Sequence, residues 1–316
     1  MYFTPYRGDS DRERMLALVR ESPVGNVHVI DLPYRLCSWA FESPTNIGLW
    51  QDDGGHLLAW AVLQSPFWMI DYAIHPQAPP SSLSTILQWA DHQAHSLVSS
   101  PFGRPAWFVP VPDGMVDVEH ALEAIGFAGQ TVVENPWSMV TMVLDQSVAL
   151  PPCPVRSPYR LRPLQGEAEV AAYVALHRTV FESTNMTEDW RRRTLHHRSH
   201  DPNLDLVIED HAGDMVAFCI GWLATLPESP TNPTPTIVGQ IEPIGVREDA
   251  RRHGLAWPIL VEMIHRLRAL GAQNIYVQTD NYRDRAFAFY QSVGFRVCER
   301  INIFRKDYAV ESPTRS

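Results

Sequence analysis

What this 316-residue chain lacks narrows its function before any motif is read. Its four cysteines, Cys37, Cys153, Cys219 and Cys298, lie far apart with no C-x-x-C pair. That pattern argues against a disulfide framework and a zinc site, and leaves buried free thiols as the expectation. No run of about eighteen uncharged apolar residues occurs, so neither a membrane span nor a membrane partner is expected. The stretch Met1 to Arg14 carries charges where a signal peptide needs an apolar segment, which makes the cytoplasm the expected location. Lysine is nearly absent: Lys306 stands alone among 26 basic residues. No basic stripe is present and the pI is about 5.7, which argues against nucleic acid as a partner. Neither a G-x-S-x-G elbow nor a glycine-rich loop of the dinucleotide or Walker type appears.

What is present reads as a globular α/β protein with a mixed sheet. The length suits two domains of roughly 150 residues. Leu150 to Pro158 holds four prolines in nine residues, too many for a strand ladder or a helix. This divides the chain into residues 1–149, a linker at 150–158, a second domain at 159–308 and a tail at 309–316. Charge follows the same division. Residues 1–150 carry six arginines against sixteen Asp and Glu, a net of −10, whereas residues 151–316 carry twenty basic and twenty acidic residues. An anionic ligand should therefore prefer the second half.

The two halves look like repeats of one another. In the second, periodicity predicts a strand at Tyr159–Arg162, helices at Gly166–Phe181 and Thr187–His197, and strands at Leu204–Glu209, Met215–Leu223 and Ile237–Val246. A helix at Leu255–Leu270, a strand at Asn274–Gln278, a helix at Arg283–Ser292 and a strand at Phe295–Phe304 complete it. The first half offers a hairpin at Asn46–Leu63 turning on Asp53-Gly54-Gly55, and a strand at Phe67–Ile74. Then come helix Ser82–Ala94, strand Ala106–Pro110, helix Val116–Ala124 and strand Gly129–Leu144. Both halves close on a similar phrase, Ala124-Ile125-Gly126-Phe127 against Ser292-Val293-Gly294-Phe295. A duplicated unit, each copy on a mixed sheet, is the simplest reading.

Chemistry concentrates between the strand ending at Val246 and the helix after Leu255. A helix start presents unpaired N–H groups and the positive end of the dipole, so the backbone at Gly254-Leu255-Ala256 can hold an anion. Gly254 lets the backbone approach closely, and Arg251 and Arg252 add charge-assisted hydrogen bonds. Taken alone, the same turn reads equally as a solvated basic turn. Pro258 falls inside the first turns of the helix, where a proline removes an N–H and crowds the Gly254 carbonyl.

The string Glu242-Pro-Ile-Gly-Val246, then Arg251-Arg-His-Gly-Leu-Ala256, then Ala288-Phe-Tyr-Gln-Ser-Val-Gly-Phe295 resembles the GNAT superfamily of acyl-CoA-dependent N-acetyltransferases. The resemblance covers about residues 159–306, and the tandem layout is similar to mycothiol synthase and other two-domain members. It implies two tandem GNAT-like domains with acetyl-CoA as acyl donor, no metal, and a primary amine of a small molecule as acceptor. Main-chain groups of Ile244, Gly245 and Val246 would meet the pantetheine arm as an added strand would. Arg251, Arg252, His253, Gly254, Leu255 and Ala256 would wrap the pyrophosphate. Tyr290 would protonate the departing thiolate, since an ordinary phenol with a pKa of about 10 keeps its proton at neutral pH. Glu242 would serve as base, sharing a strand face with Ile244 and Val246; an ordinary strand carboxylate paired to an arginine is the competing reading. Where the family often has Asn, seven residues before the tyrosine, this chain has Arg283, and the nearest asparagine is Asn281.

The first half departs from that pattern. Aligning Ile70–Pro76 with Ile241–Arg247 puts Gln77-Ala-Pro-Pro-Ser-Ser-Leu-Ser84 at the anion turn, without glycine or arginine and with two prolines. Leu122 stands where Tyr290 does. The first domain is thus expected to be degenerate, shaping the acceptor site or the interface. Phe181, Glu182 and Trp190, near the join of the second half's first two helices, are the candidate acceptor contacts, although Thr187 reads as a helix cap. His196, His197 and His200 read as a solvated helix end. The chain is expected to be a monomer or homodimer, and a cofactor-binding sensor or scaffold without chemistry is the alternative function.

Overall fold

The same order of elements occurs twice, except that the last strand of the first half is in two pieces: strand, two helices, three strands, helix, strand, helix, strand. The structure is a computed structural model describing all residues except 22–24, 28–31, 135, 228–233, 282 and 309–316. The expected tail at 309–316 therefore lies outside the described residues. The first half runs β1 (Tyr2–Pro5), α1 (Asp9–Glu21), α2 (Leu32–Leu36), β2 (Ile47–Gln51), β3 (Leu57–Gln64), β4 (Met69–Ile74), α3 (Ser82–Leu97), β5 (Ala106–Pro112) and α4 (Val116–Ala124). It ends in β6 (Ala128–Gly129) and β7 (Ser138–Asp145). The second runs β8 (Arg160–Pro163), α5 (Val170–Phe181), α6 (Glu188–His196), β9 (Asp205–Glu209), β10 (Met215–Leu226) and β11 (Thr236–Val246). It finishes with α7 (Ala256–Ala269), β12 (Asn274–Asp280), α8 (Asp284–Val293) and β13 (Arg296–Asp307).

Local chemistry explains several of these boundaries. Thr187 accepts a hydrogen bond from Trp190 N at 3.1 Å, and Glu188 and Asp189 complement the dipole in the first turn of α6. The repeated Gly-Phe phrase is a helix terminator. Gly126 and Gly294 adopt φ of 90° and 109°, and the N–H of Phe127 and Phe295 reaches back to the carbonyls of Leu122 and Tyr290 at 3.0 and 3.1 Å. That is the Schellman arrangement, which needs a residue without a Cβ at the left-handed position. Pro258 is less disruptive than the sequence suggests. It is the third residue of α7, and the first α-type bond of the helix runs from Ile259 N to Leu255 O at 3.4 Å. An N–H at position 258 would have no partner inside the helix, so the proline forfeits none.

Instead of two sheets, the strands form one sheet in the order β1-β2-β3-β4-β5-β13-β7-β12-β11-β10-β9-β8, with β6 paired to β13. The halves have exchanged their last strands. β13 pairs antiparallel with β5 from Ile301↔Pro112 to Asp307↔Ala106, and β7 pairs antiparallel with β12 from Asn274↔Asp145 to Asp280↔Met139. β13 and β7 then pair with each other, closing the centre of the sheet. The single strand expected at 129–144 is correspondingly split, because the chain must leave the first half after β6 to reach β12. Exchange leaves neither half with an unpaired edge at the centre, where exposed N–H and C=O groups would invite association. The sole lysine secures it: Lys306 on β13 donates to Asp91 Oδ1 of α3 and to Ile125 O, both at 2.6 Å.

One hydrophobic core is shared, drawing Tyr34, Leu36 and Trp60 from the first half together with Tyr173, Trp190, Phe218 and Trp222 from the second. Each half also keeps a core of its own, around α3 and α4 in one and α7 and α8 in the other. The histidines after α6 are not solvated throughout, as the sequence suggested. His197 is buried, and His200 bonds Asp205 at 2.9 Å, because the chain folds back under β9 through Asp205. Cys37 and Cys219 are buried free thiols, whereas Cys298 is exposed.

Candidate active site

The site opens where two parallel strands part. β11 pairs with β12 only at Val238↔Asn274, Gly239↔Ile275 and Gln240↔Tyr276; beyond Gln240, β11 stays with β10 and β12 stays with β7. A β-bulge marks the parting, since Glu242 and Pro243 of β11 face one residue, Ile220, of β10. Proline suits this position because the bulge asks for no ladder N–H from it. Trp222 Nε1 donates to the Glu242 carbonyl at 2.6 Å. The bulge delivers the Glu242 side chain, half-buried, to a cavity of about 490 Å³.

Both halves build that cavity. The second supplies Glu242, Pro243 and Ile244 from β11, Gln278, Thr279 and Asp280 from β12, Tyr290 from α8, and His177 and Phe181 from α5. The first supplies Tyr34 and Arg35 of α2, the β3–β4 turn with Phe67 and Trp68, and Trp137 and Met139. The contacts across the halves are specific. Tyr34 Oη lies 3.4 Å from His177 Nε2, Trp190 Nε1 donates to Tyr34 O at 3.1 Å, and Asn185 Nδ2 donates to Pro66 O at 2.5 Å. Trp137 Nε1 donates to Asp280 Oδ1 at 2.9 Å, while Asp280 Oδ2 pairs with Arg283 at 3.0 Å.

Electrostatics separates the two candidate catalytic groups. Burial raises the Glu242 carboxyl from 4.5 to about 7, opposed by the positive charges of Arg283 and Arg35. No ion pair involving Glu242 occurs within 4.0 Å among the described residues. Arg283 and Arg35 act on Glu242 through their charge, and their ion pairs within 4.0 Å are with Asp280 and Asp71. Burial also pushes the Tyr290 phenol above its ordinary 10, with the Glu242 charge adding to the effect. Desolvation, then Arg191 and Arg178, lower His177 to about 3, so its imidazole is neutral.

The residues named from the sequence fall into three groups. Glu242, Ile244 and Tyr290 share the cavity, and Gly245 and Val246 continue the open edge of β11. A Cβ on Gly245 would lie 2.5 Å from Val180 Cγ1 and 2.8 Å from Phe218, so this glycine also lets α5 pack closely on the strand. Arg251 to Ala256 lie apart from the cavity, with Arg251 to Gly254 exposed, Leu255 buried and Ala256 opening α7. Arg252 and Gly254 both have left-handed backbone, with φ of 69° and 74°, and a Cβ on Gly254 would meet nothing within 4 Å. A left-handed arginine costs on the order of 1–2 kcal/mol. No side chain caps α7, which leaves its first N–H groups available to an anion. His253 is exposed with its ring 5.8 Å from Tyr159, and Arg251 Nε currently bonds Val246 O at 3.2 Å. Phe181 and Trp190 line the cavity, although Trp190 is otherwise core. Glu182 and Asn281 do not line it. Glu182 caps α5 in the left-handed region, exposed, and the Asn281 amide holds the first half through Pro136 O at 3.0 Å and Ser138 N at 3.1 Å.

Sequence reasoning missed the contributions of Arg35, Phe67, Trp68 and Trp137 and of Arg285. The last joins Glu248, Arg251 and Arg252 around a hollow at the α7 turn. Only an arginine count could have hinted at Arg285; nothing local marks the other four. Among the described residues no group of three or more His, Cys, Asp or Glu is placed to hold a metal ion, and no helix is long and apolar enough to cross a membrane.

Comparison with known proteins fits this geometry. Residues 170–295 match the Acetyltransferase (GNAT) family, a span lying wholly in the second half. No curated protein is matched. Among solved structures, a GCN5-related N-acetyltransferase from Sphaerobacter thermophilus is similar at 18% identity and a TM-score of 0.62, over 96% of this chain and 95% of that one. A tandem GNAT protein from the clavulanic acid biosynthesis pathway is similar at 13% identity and 0.63, over 98% and 99%. N-myristoyltransferase of Saccharomyces cerevisiae is similar at 11% and 0.64, over 98% and 80%. At such identities the likeness is one of fold, and it extends over both halves. The chain therefore shares the fold of these proteins along its length, and residues 170–295 carry the sequence pattern of the Acetyltransferase (GNAT) family.

Proposed function

We propose that the second half transfers an acetyl group from acetyl-CoA to the primary amine of a small molecule, by direct attack with both substrates bound. The observation that carries this is the placement of Glu242 and Tyr290 in one cavity at the open edge of β11, with an arginine-bearing helix start beyond that edge. Main-chain groups of Ile244, Gly245 and Val246, on the stretch of β11 that β12 leaves, would bond the pantetheine arm, and Arg251, Arg252, Arg285 and the α7 N–H groups would hold the phosphates. Holding them requires Arg251 to leave the Val246 carbonyl. Acetyl-CoA supplies the activated acyl group.

The chain's own groups handle the protons. An alkylamine is protonated near neutral pH and must lose a proton before it can attack. Glu242, with a pKa near 7, is matched to accept that proton directly or through water. Tyr290, whose phenol keeps its proton, would donate to the departing thiolate. We also propose that the first half, residues 1–149, is a degenerate copy without a cofactor site, joined through 150–158 to the catalytic residues 159–308. The layout resembles mycothiol synthase, so an amine on a thiol-bearing sugar belongs among the acceptors to try.

The test is thiol release from acetyl-CoA over a panel of amines, alongside calorimetric binding of acetyl-CoA. Turnover lost in Glu242→Gln and Tyr290→Phe supports the reading. Binding without turnover on any amine would favour a sensor.

A further inference from the structure

The cavity holding Glu242 and Tyr290 changes character where the first half closes it. There the β3–β4 turn, residues 65–68, presents Phe67 and Trp68, with Trp137 and Phe181 also on the wall. Trp68 combines two unusual properties. Its backbone is left-handed, with φ of 58°, a conformation that strains a bulky residue. It is also 37% exposed, although its indole is large and apolar. The Arg104 guanidinium lies 5.8 Å from the ring and fixes its position in part.

Charge in the cavity is allotted unevenly. Arg35 is held by both oxygens of buried Asp71, at 2.8 and 2.5 Å, and Arg283 pairs with Asp280 at 3.0 Å. Each guanidinium thus has its own carboxylate, and Glu242 is left as the negative pole. An acceptor bearing a carboxylate would compete with Asp71 or Asp280 for an arginine and would suffer repulsion from Glu242. A cationic amine with a flat apolar body meets neither penalty. Its ammonium is attracted to Glu242, and its body can pack on the exposed Trp68 indole and beside the Phe67 ring, which also carries the Arg35 guanidinium 4.5 Å from its centroid.

We propose that the acceptor is a cationic amine with an aromatic body and no carboxylate, its ring held by Phe67 and Trp68 of the first half and its ammonium presented to Glu242. This rests on the acetyl-transfer reading and names the substrate class of that site. The test compares phenethylamine with L-phenylalanine, which adds only a carboxylate, and with propylamine, which lacks the ring. Both turnover and direct binding, by quenching of tryptophan fluorescence, are measured. The expected result is a kcat/KM for phenethylamine at least about 30-fold above either analogue. Trp68→Ala should raise the KM for phenethylamine about 10-fold, with that for acetyl-CoA moving less than about twofold. Preference for L-phenylalanine or propylamine, or a Trp68→Ala enzyme with unaltered amine KM, overturns the substrate class while leaving acetyl transfer intact. Selective binding of phenethylamine without turnover keeps the class and overturns acetyl transfer.

Discussion

The two halves open the same gap in their sheets and close it with different material. In the second, β11 and β12 part after Gln240, leaving the edge of β11 facing a cavity. In the first, β4 and β5 pair at one position, Met69↔Phe108, and then part as well. There the chain fills its own gap: Gly25 bridges to Ala73, Asn26 N donates to Tyr72 O at 3.3 Å, Tyr72 N donates to Asn26 Oδ1 at 2.9 Å, and Asn26 Nδ2 donates to Ile70 O at 2.8 Å. A Cβ on Gly25 would sit 2.2 Å from Tyr72 O, so only glycine allows this approach. Tyr72 and Ala73 occupy the places that Pro243 and Ile244 hold in the other half. The first half thus uses on itself backbone groups that the second leaves open, and this difference is what supports the proposal that one fold here carries a site in only one of its halves.

The difference can be attacked at equivalent positions. Leu122 and Tyr290 both bond their carbonyls to a terminating Phe. Tyr290→Phe should lower kcat by roughly 100- to 10,000-fold with little loss of stability. Leu122→Ala should do the reverse, costing about 2–5 kcal/mol in urea unfolding with kcat nearly unchanged. If both variants lost activity alike, the division of labour between the halves would be wrong.

Calorimetry should find one acetyl-CoA bound per chain, and replacing Arg251 and Arg252 together by alanine should weaken it about 10- to 100-fold. A stoichiometry of two would falsify the idea that Gly25 and Asn26 seal the first half.

The pH dependence sharpens the role of Glu242. Its carboxyl takes up a proton near pH 7 in the fold against 4.5 ordinarily, so activity should fall about tenfold per unit below 7 and level off above it. The fold holds this proton more tightly than the unfolded chain does. The resulting stabilisation is complete below about pH 4.5 and is lost as pH rises through 7. Glu242→Gln does not titrate and should be more stable than the parent at pH 8.5, by about 1–3 kcal/mol, despite being inactive. Thermal melts in which the Glu242→Gln variant is less stable than the parent at that pH would restore the picture of a structural ion pair.

The smallest effect should come from Lys306→Met. Loss of its bonds to Asp91 and Ile125 should cost about 1–3 kcal/mol and loosen β13 against the first half, read as faster amide exchange in β5.

The candidate residues of the second half could be named from the sequence because their signals are local. Gly254 and the arginines sit within six residues of the α7 start, and Tyr290 stands a fixed distance before a terminator that Gly294 betrays. Asn281 and Glu182 were less legible. A polar side chain beside a motif can as well hold a neighbouring segment as a ligand, and nothing in its own spacing says which. Arg35, Phe67, Trp68 and Trp137 could not be placed at all. They join Glu242 across more than a hundred residues of chain, and hydrophobic periodicity carries no information about such distant contacts.

The sequence by itself determined the repeated order of elements, the terminators and the one basic turn, since each is set by interactions within a few residues. The exchange of β7 and β13 was decided only in three dimensions. Any strand of suitable alternation can satisfy a sheet edge, and which strand does so depends on what else is free to pair. The same holds for the cavity. Glu242 and Tyr290 come to it from β11 and α8, but its far wall exists only because the first half folds against the second.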